Sequence, residues 1–114
     1  MRDPKERLRD ILQAIEAIDR YRYGDRSEFD QNEMLQVWFL RHLQIIGEAA
    51  RNLPDEVRAM APDIPWYEII GMRNILVHGY FAIELDIVWD AVQQDVPLLK
   101  PAVEELLKQL ETQA

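Results

Sequence analysis

Cysteine is absent from this chain of 114 residues, histidine occurs twice and glycine four times. Without cysteine there is neither a disulfide nor a thiolate metal site, which suits a reducing cytoplasm. So few glycines leave no glycine-rich phosphate loop. There is also no serine nucleophile elbow and no His/Cys/carboxylate grouping at metal-ligand spacing. No metal and no cofactor are expected, and any imidazole chemistry must come from His42 or His78. No apolar run approaches the roughly 20 residues that span a bilayer. The polar start Met1-Arg2-Asp3-Pro4-Lys5-Glu6 does not read as a signal peptide. The expectation is a soluble, cytoplasmic protein without membrane contact. Basic residues are also short, 13 against 21 acidic ones for a net charge of −8. Phosphate contacts supply most nucleic-acid affinity, so contact with such a polymer must be local or borrow positive charge from a partner.

What is present is apolar residues at 48%, enough for the core of one domain spanning residues 1–114. Their spacing is helical throughout, and no segment alternates long enough to be a strand. Asp3, Pro4 and Glu6 form a helix start, with a capping carboxylate, proline in the first turn and an acid behind it. Leu8, Ile11, Leu12, Ile15 and Ile18 continue that helix to about Tyr23, before Gly24-Asp25. Ser27 and Asp30 are candidate caps for a second helix reaching about Leu53, where Pro54 stops it. Its stripe of Leu35, Phe39, His42, Ile46, Ala49 and Leu53 is widened by Met34, Trp38, Ile45 and Ala50. That surface is broad enough to suggest a subunit contact. Gly47 costs roughly 1 kcal/mol relative to alanine inside a helix, tolerable where another helix comes close. A short helix over 54–60 and a stiff Ala61-Pro62-Asp63-Ile64-Pro65 connector lead to a third long helix ended by Gly79. A further helix runs from about Ile83 to Gln94. A break or strong kink near Asp95 to Pro97 precedes the last helix through Leu110. The fold class is all-α, an antiparallel bundle of four to five main helices.

The segment Arg73-Asn74-Ile75-Leu76-Val77-His78-Gly79-Tyr80 gathers a fixed cation, an amide, an imidazole and a phenol at the end of the third long helix. Asn74 and His78 are four apart and share a helix face, so the amide can orient the ring. Arg73 and His78 are five apart, roughly 140° around an undistorted helix, and one copy does not obviously converge both on one phosphate. Two copies about a twofold axis could. In the last helical turn, unpaired carbonyls favour the protonated ring of His78, which suits it to act as acid or base near neutral pH. Arg73 offers a planar fork to phosphate oxygens. RNA carries its own nucleophile in the 2′-hydroxyl, so proton transfer and charge stabilisation suffice without a metal. The plainer reading is structural: His-Gly is an ordinary helix end, and an arginine one turn earlier commonly pairs with a surface acid. Glu48 reads as a solvated acid for which a salt bridge to Arg73 or Arg51 is conceivable, and His42 as a satisfied core or interface histidine. Trp38, Trp66 and Trp89 read as packing residues rather than base-stacking platforms.

Arg73-Asn74-x-x-x-His78-x-Tyr80 resembles the signature of the HEPN-superfamily ribonucleases, in the branch of the HepT-like toxins. Ile45-Ile46-Gly47-Glu48-Ala49-Ala50, Ile64-Pro65-Trp66, Gly71-Met72-Arg73-Asn74 and His78-Gly79-Tyr80-Phe81 follow in the family's order, covering nearly the whole chain. The resemblance implies a homodimer in which Arg73 and His78 of both protomers line a shared cleft. It implies metal-independent endonucleolytic cleavage of RNA (mRNA or tRNA) by the toxin of a toxin–antitoxin pair. The partner it implies is an MNT-type nucleotidyltransferase antitoxin that transfers AMP to Tyr80. An alternative is a non-catalytic helical subunit that docks the nucleotidyltransferase. A third reading is a nucleotide-binding regulatory bundle.

Overall fold

The computed structural model describes residues 2–77 and 84–113, and for residues 74–77 the helix path alone. Every regular element among the described residues is helical, as the spacing of apolar residues requires. Helix α1 (Pro4–Asp19) begins as expected, with the Asp3 side chain accepting from the Lys5 N–H at 2.9 Å. It stops before Tyr23. The indole N–H of Trp38 donates to Ala17 O at 2.8 Å and the Gln93 amide donates to Arg22 O at 2.8 Å. These two side chains occupy carbonyls that further helical turns would have used.

The second helix expected from the sequence is two helices. Asp25, rather than Ser27 or Asp30, caps α2 (Arg26–Gln31) by accepting from the Glu28 N–H, while Asp30 pairs with Arg26. Asn32 then turns extended and caps α3 (Glu33–Arg51) by accepting from the Leu35 N–H at 3.1 Å. The side-chain amide offers the backbone a local partner, and the chain changes direction there. Helix α4 (Asp55–Ala59) and the proline connector follow. The Trp66 indole N–H is shared between Arg58 O and Ala61 O, at 3.0 Å each, and ties the start of α5 (Trp66–Val77) to that connector.

No break separates the last two helices. Helix α6 (Leu85–Asp90) passes through a π-helical turn, Ala91–Asp95, into α7 (Val96–Thr112). Pro97 has no N–H to give Gln93, and its ring would crowd that carbonyl in an ordinary turn. In the wider turn the Val96 N–H reaches Ala91 O, and the helical path continues past the proline. The helix end expected at Gly79 and the helix start expected at Ile83 lie outside the described residues.

The core runs along the bundle axis. Leu8, Ile11, Ile15 and Ile18 of α1 meet Phe39, Leu43 and Ile46 of α3 and Val92, Val96 and Val103 of the C-terminal helix, all essentially without solvent exposure. Each such side chain contributes about 1.5–3 kcal/mol on burial. Pairs of contacts fix the directions. Ala17 lies beside Trp38 while Arg7 and Asp10 share a cleft with Gln44 and Glu48, and Arg9 pairs with Glu111 while Asp19 pairs with Lys100, so α1 runs antiparallel to both α3 and α7. Met34 falls outside the stripe assigned to it and is exposed, whereas Leu43 is buried.

Candidate functional site

Arg73 is placed by a missing side chain. Gly47 sits where α3 and α5 cross, and a Cβ added there would lie 3.1 Å from Ile69 O and 3.2 Å from both the Cβ and the N of Arg73. Only glycine lets the α5 backbone approach this closely without displacement, so the close approach expected of another helix at Gly47 is made by the turn that carries Arg73. The next residue of α3, Glu48, meets the guanidinium: Arg73 Nε lies 2.5 Å from Glu48 Oε2, an oxygen shut off from solvent. The approach is off the line of an aligned hydrogen bond, and charge holds the pair together. The other carboxylate oxygen accepts from the Asn52 amide at 3.2 Å and lies 3.9 Å from Arg51. Glu48 is thus anchored from its own helix and grips Arg73 through Nε. Arg73 remains about two-fifths exposed, and among the described residues its terminal nitrogens make no ion pair.

Arg73 opens onto a cleft of about 380 Å³ between the N-terminal end of α1 and the C-terminal half of α3. Arg2, Arg7 and Asp10 form one wall, and Arg41, Gln44 and Glu48 the other. Ile45 and Ala49 supply apolar lining. Four arginines face two carboxylates, so this site is positive in a chain of net charge −8. The cleft has a counterpart of opposite character. A cleft of about 310 Å³ between the start of α5 and the start of α7 is lined by Ile69, Met72, Leu98 and Leu99 and rimmed by Asp63, Glu68 and Asp95. Burial, then the neighbouring Glu68 and Asp90 charges, raise the Asp95 carboxyl above the ordinary aspartate range. An anion is repelled there and attracted beside Arg73.

Of the residues singled out in the sequence, Arg73 is on α5 and lines the basic cleft, and Glu48, expected as a solvated acid with a bridge to Arg73 or Arg51 conceivable, pairs with it through an oxygen closed to solvent. Asn74 follows Arg73 in α5. His78 and Tyr80 lie outside the described residues, as does the side chain of Asn74. His42 is half-buried, its ring 4.4 Å from that of Trp38 and its Nδ1 2.8 Å from Trp38 O, a satisfied histidine. The tryptophans pack and tie helices together: Trp89 lies 5.2 Å from Phe29, and Trp38 and Trp66 donate to helix-end carbonyls. Arg2, Arg7, Arg41 and Gln44 escaped the sequence reading. One signal was there to be read: Arg41 and Glu48 are seven apart and fall on one face of α3. The joining of that face to α1 and α5 is tertiary and leaves no local trace.

The family described as HepT-like, "Ribonuclease HepT-like", matches residues 11–106. A Methanocaldococcus jannaschii protein named "Putative RNase MJ1380" is 42% identical over 104 residues, covering 90% of this chain and 95% of the relative. A Thermococcus cleftensis protein named "Probable ribonuclease HepT" is 38% identical over 108 residues, covering 94% and 98%. No solved structure matches the chain.

Proposed function

The chain belongs to the ribonuclease HepT-like family, and from that premise we propose that it is a ribonuclease of the HEPN type whose catalytic residues are Arg73 and His78. The observation that carries the reading is the setting of Arg73. Its guanidinium is gripped through Nε by Glu48, stays about two-fifths exposed, and lines a positive cleft in an acidic protein. In the reaction the RNA 2′-oxygen attacks the adjacent phosphorus and the bond to the 5′-oxygen breaks. One proton leaves the 2′-hydroxyl and one arrives on the departing 5′-oxygen, giving a 2′,3′-cyclic phosphate and a 5′-hydroxyl. His78 moves a proton, and Arg73 stabilises the charge that gathers on the non-bridging oxygens. Asn74, one helical turn before His78, orients the imidazole. Two protomers about a twofold axis bring two such pairs to one linkage. As a metal-independent toxin, the protein is held inactive by an MNT-type nucleotidyltransferase antitoxin. AMP on Tyr80 adds bulk and a negative phosphodiester beside Arg73 and His78.

The test uses purified wild-type protein shown by intact mass to be unmodified. It is expected to cut tRNA or mRNA in the presence of chelator, and Arg73→Ala and His78→Ala are each expected to lower cleavage by at least about a hundredfold with unchanged oligomeric state. RNA left intact by the unmodified protein would sink the catalytic reading. A gain in mass at Tyr80 on co-expression with the nucleotidyltransferase, still without cleavage, would leave a non-catalytic docking subunit.

A further inference from the structure

We propose that Arg7 and Arg41 form a subsite for RNA backbone phosphates flanking the scissile one, in the same cleft that Arg73 lines, and this rests on the ribonuclease reading above. The charges inside the cleft divide cleanly. Asp10 is taken up by Arg2 at 3.0 Å and Glu48 by Arg73 at 2.5 Å. Neither Arg7 nor Arg41 is ion-paired among the described residues, although both line the same cleft. The surplus positive charge of the site therefore resides on these two side chains, one on each wall. Both carry the planar fork that suits phosphate, and a guanidinium stays charged at any working pH.

Their placement suits a strand rather than a single anion. Arg41 stands two helical turns before Glu48 on the same face of α3, roughly 10 Å along the axis at 1.5 Å per residue. The cations are strung along the groove from Arg73 to Arg41, an arrangement that tracks a phosphodiester backbone. Between Arg41 and Glu48, the half-buried Ile45 offers an apolar patch to a base or ribose, and the Gln44 amide offers both a donor and an acceptor to a base edge. A duplex, with its bases turned inward, could use only the charges. A single strand can use the floor as well.

The experiment measures binding of a short fluorescent single strand built entirely of 2′-deoxynucleotides, which lacks the internal nucleophile and survives the assay. Arg7→Gln and Arg41→Gln are compared with wild type and with Lys108→Gln on the exposed face of α7, with folding checked by thermal melting. Arg41→Lys keeps the charge and removes the fork. Each glutamine variant is expected to weaken binding roughly three- to tenfold, and the double variant to lower the slope of log affinity against log salt by about 1.4, near 0.7 per lost phosphate contact. Lys108→Gln is expected to bind as wild type, and Arg41→Lys to fall between wild type and glutamine. Wild-type binding by the folded double variant, or an equal loss in Lys108→Gln, overturns the subsite. So does equal competition by polyglutamate, which would mark the groove as a seat for acidic polypeptide. Cleavage of RNA by wild type in a parallel assay separates the two ideas. Cutting with no effect at Arg7 and Arg41 removes the subsite alone, and binding that depends on them without any cutting removes the catalytic reading alone.

Discussion

Gly47 and Glu48 are adjacent residues that place Arg73 by opposite means, one by lacking a side chain and the other by extending one. The first makes a sharp test. Gly47→Ala should improve helix propensity by about 1 kcal/mol, yet its methyl meets backbone atoms of α5, which yield only if the helix moves. The expected result is a near-unchanged melting temperature with RNA cleavage lowered roughly tenfold or more, since on the proposed role of Arg73 small displacements carry large rate penalties. Full activity in this variant would mean that the position of Arg73 is not critical. At this scale the sequence was legible where a residue's cost is local. A glycine inside an apolar helical stripe signals a close neighbour, whereas Glu48 and Arg73 are 25 residues apart and their pairing was no more than conceivable. It was silent on Arg7, whose relation to Arg73 exists only after three helices have packed.

Among the elements, the short ones depend most on what they touch. Helix α2 has six residues, too few to be stable alone, and Phe29 is its only buried side chain. That ring lies 5.8 Å from Phe39 and 5.2 Å from Trp89, and so joins α2 to α3 and α6. Phe29→Ala is expected to destabilise the fold by about 3–5 kcal/mol, measured by denaturant unfolding, a large share of the roughly 5–15 kcal/mol of a domain. A loss below about 1 kcal/mol would show that α2 is held some other way. The boundaries here were the least legible part of the chain. Asn32 lies in a polar run with nothing to mark it as a cap until α2 and α3 diverge. Pro97 announces an obstacle to the helix without saying whether the chain will break or widen around it. The all-α class and the core faces of α1 and α7 were readable because many residues repeat one period, whereas each boundary rests on a single side chain.

Taken whole, the molecule separates its charge. Setting the cleft's net +2 apart from the chain's −8 leaves −10 on the rest of the protein. A rigid duplex carries a charge about every 1.7 Å along its axis, and it cannot present a few phosphates to the cleft without pressing others against that acidic exterior. A flexible single strand can feed a few linkages inward and keep the remainder away. Competition binding at low salt should therefore favour a single strand over its duplex by about tenfold or more, with the preference shrinking as added salt screens the repulsion. A preference for the duplex would contradict it. The negative exterior that looks ill suited to a nucleic-acid enzyme then works as a sieve, turning away stiff polyanions while leaving one narrow gate for those that can bend.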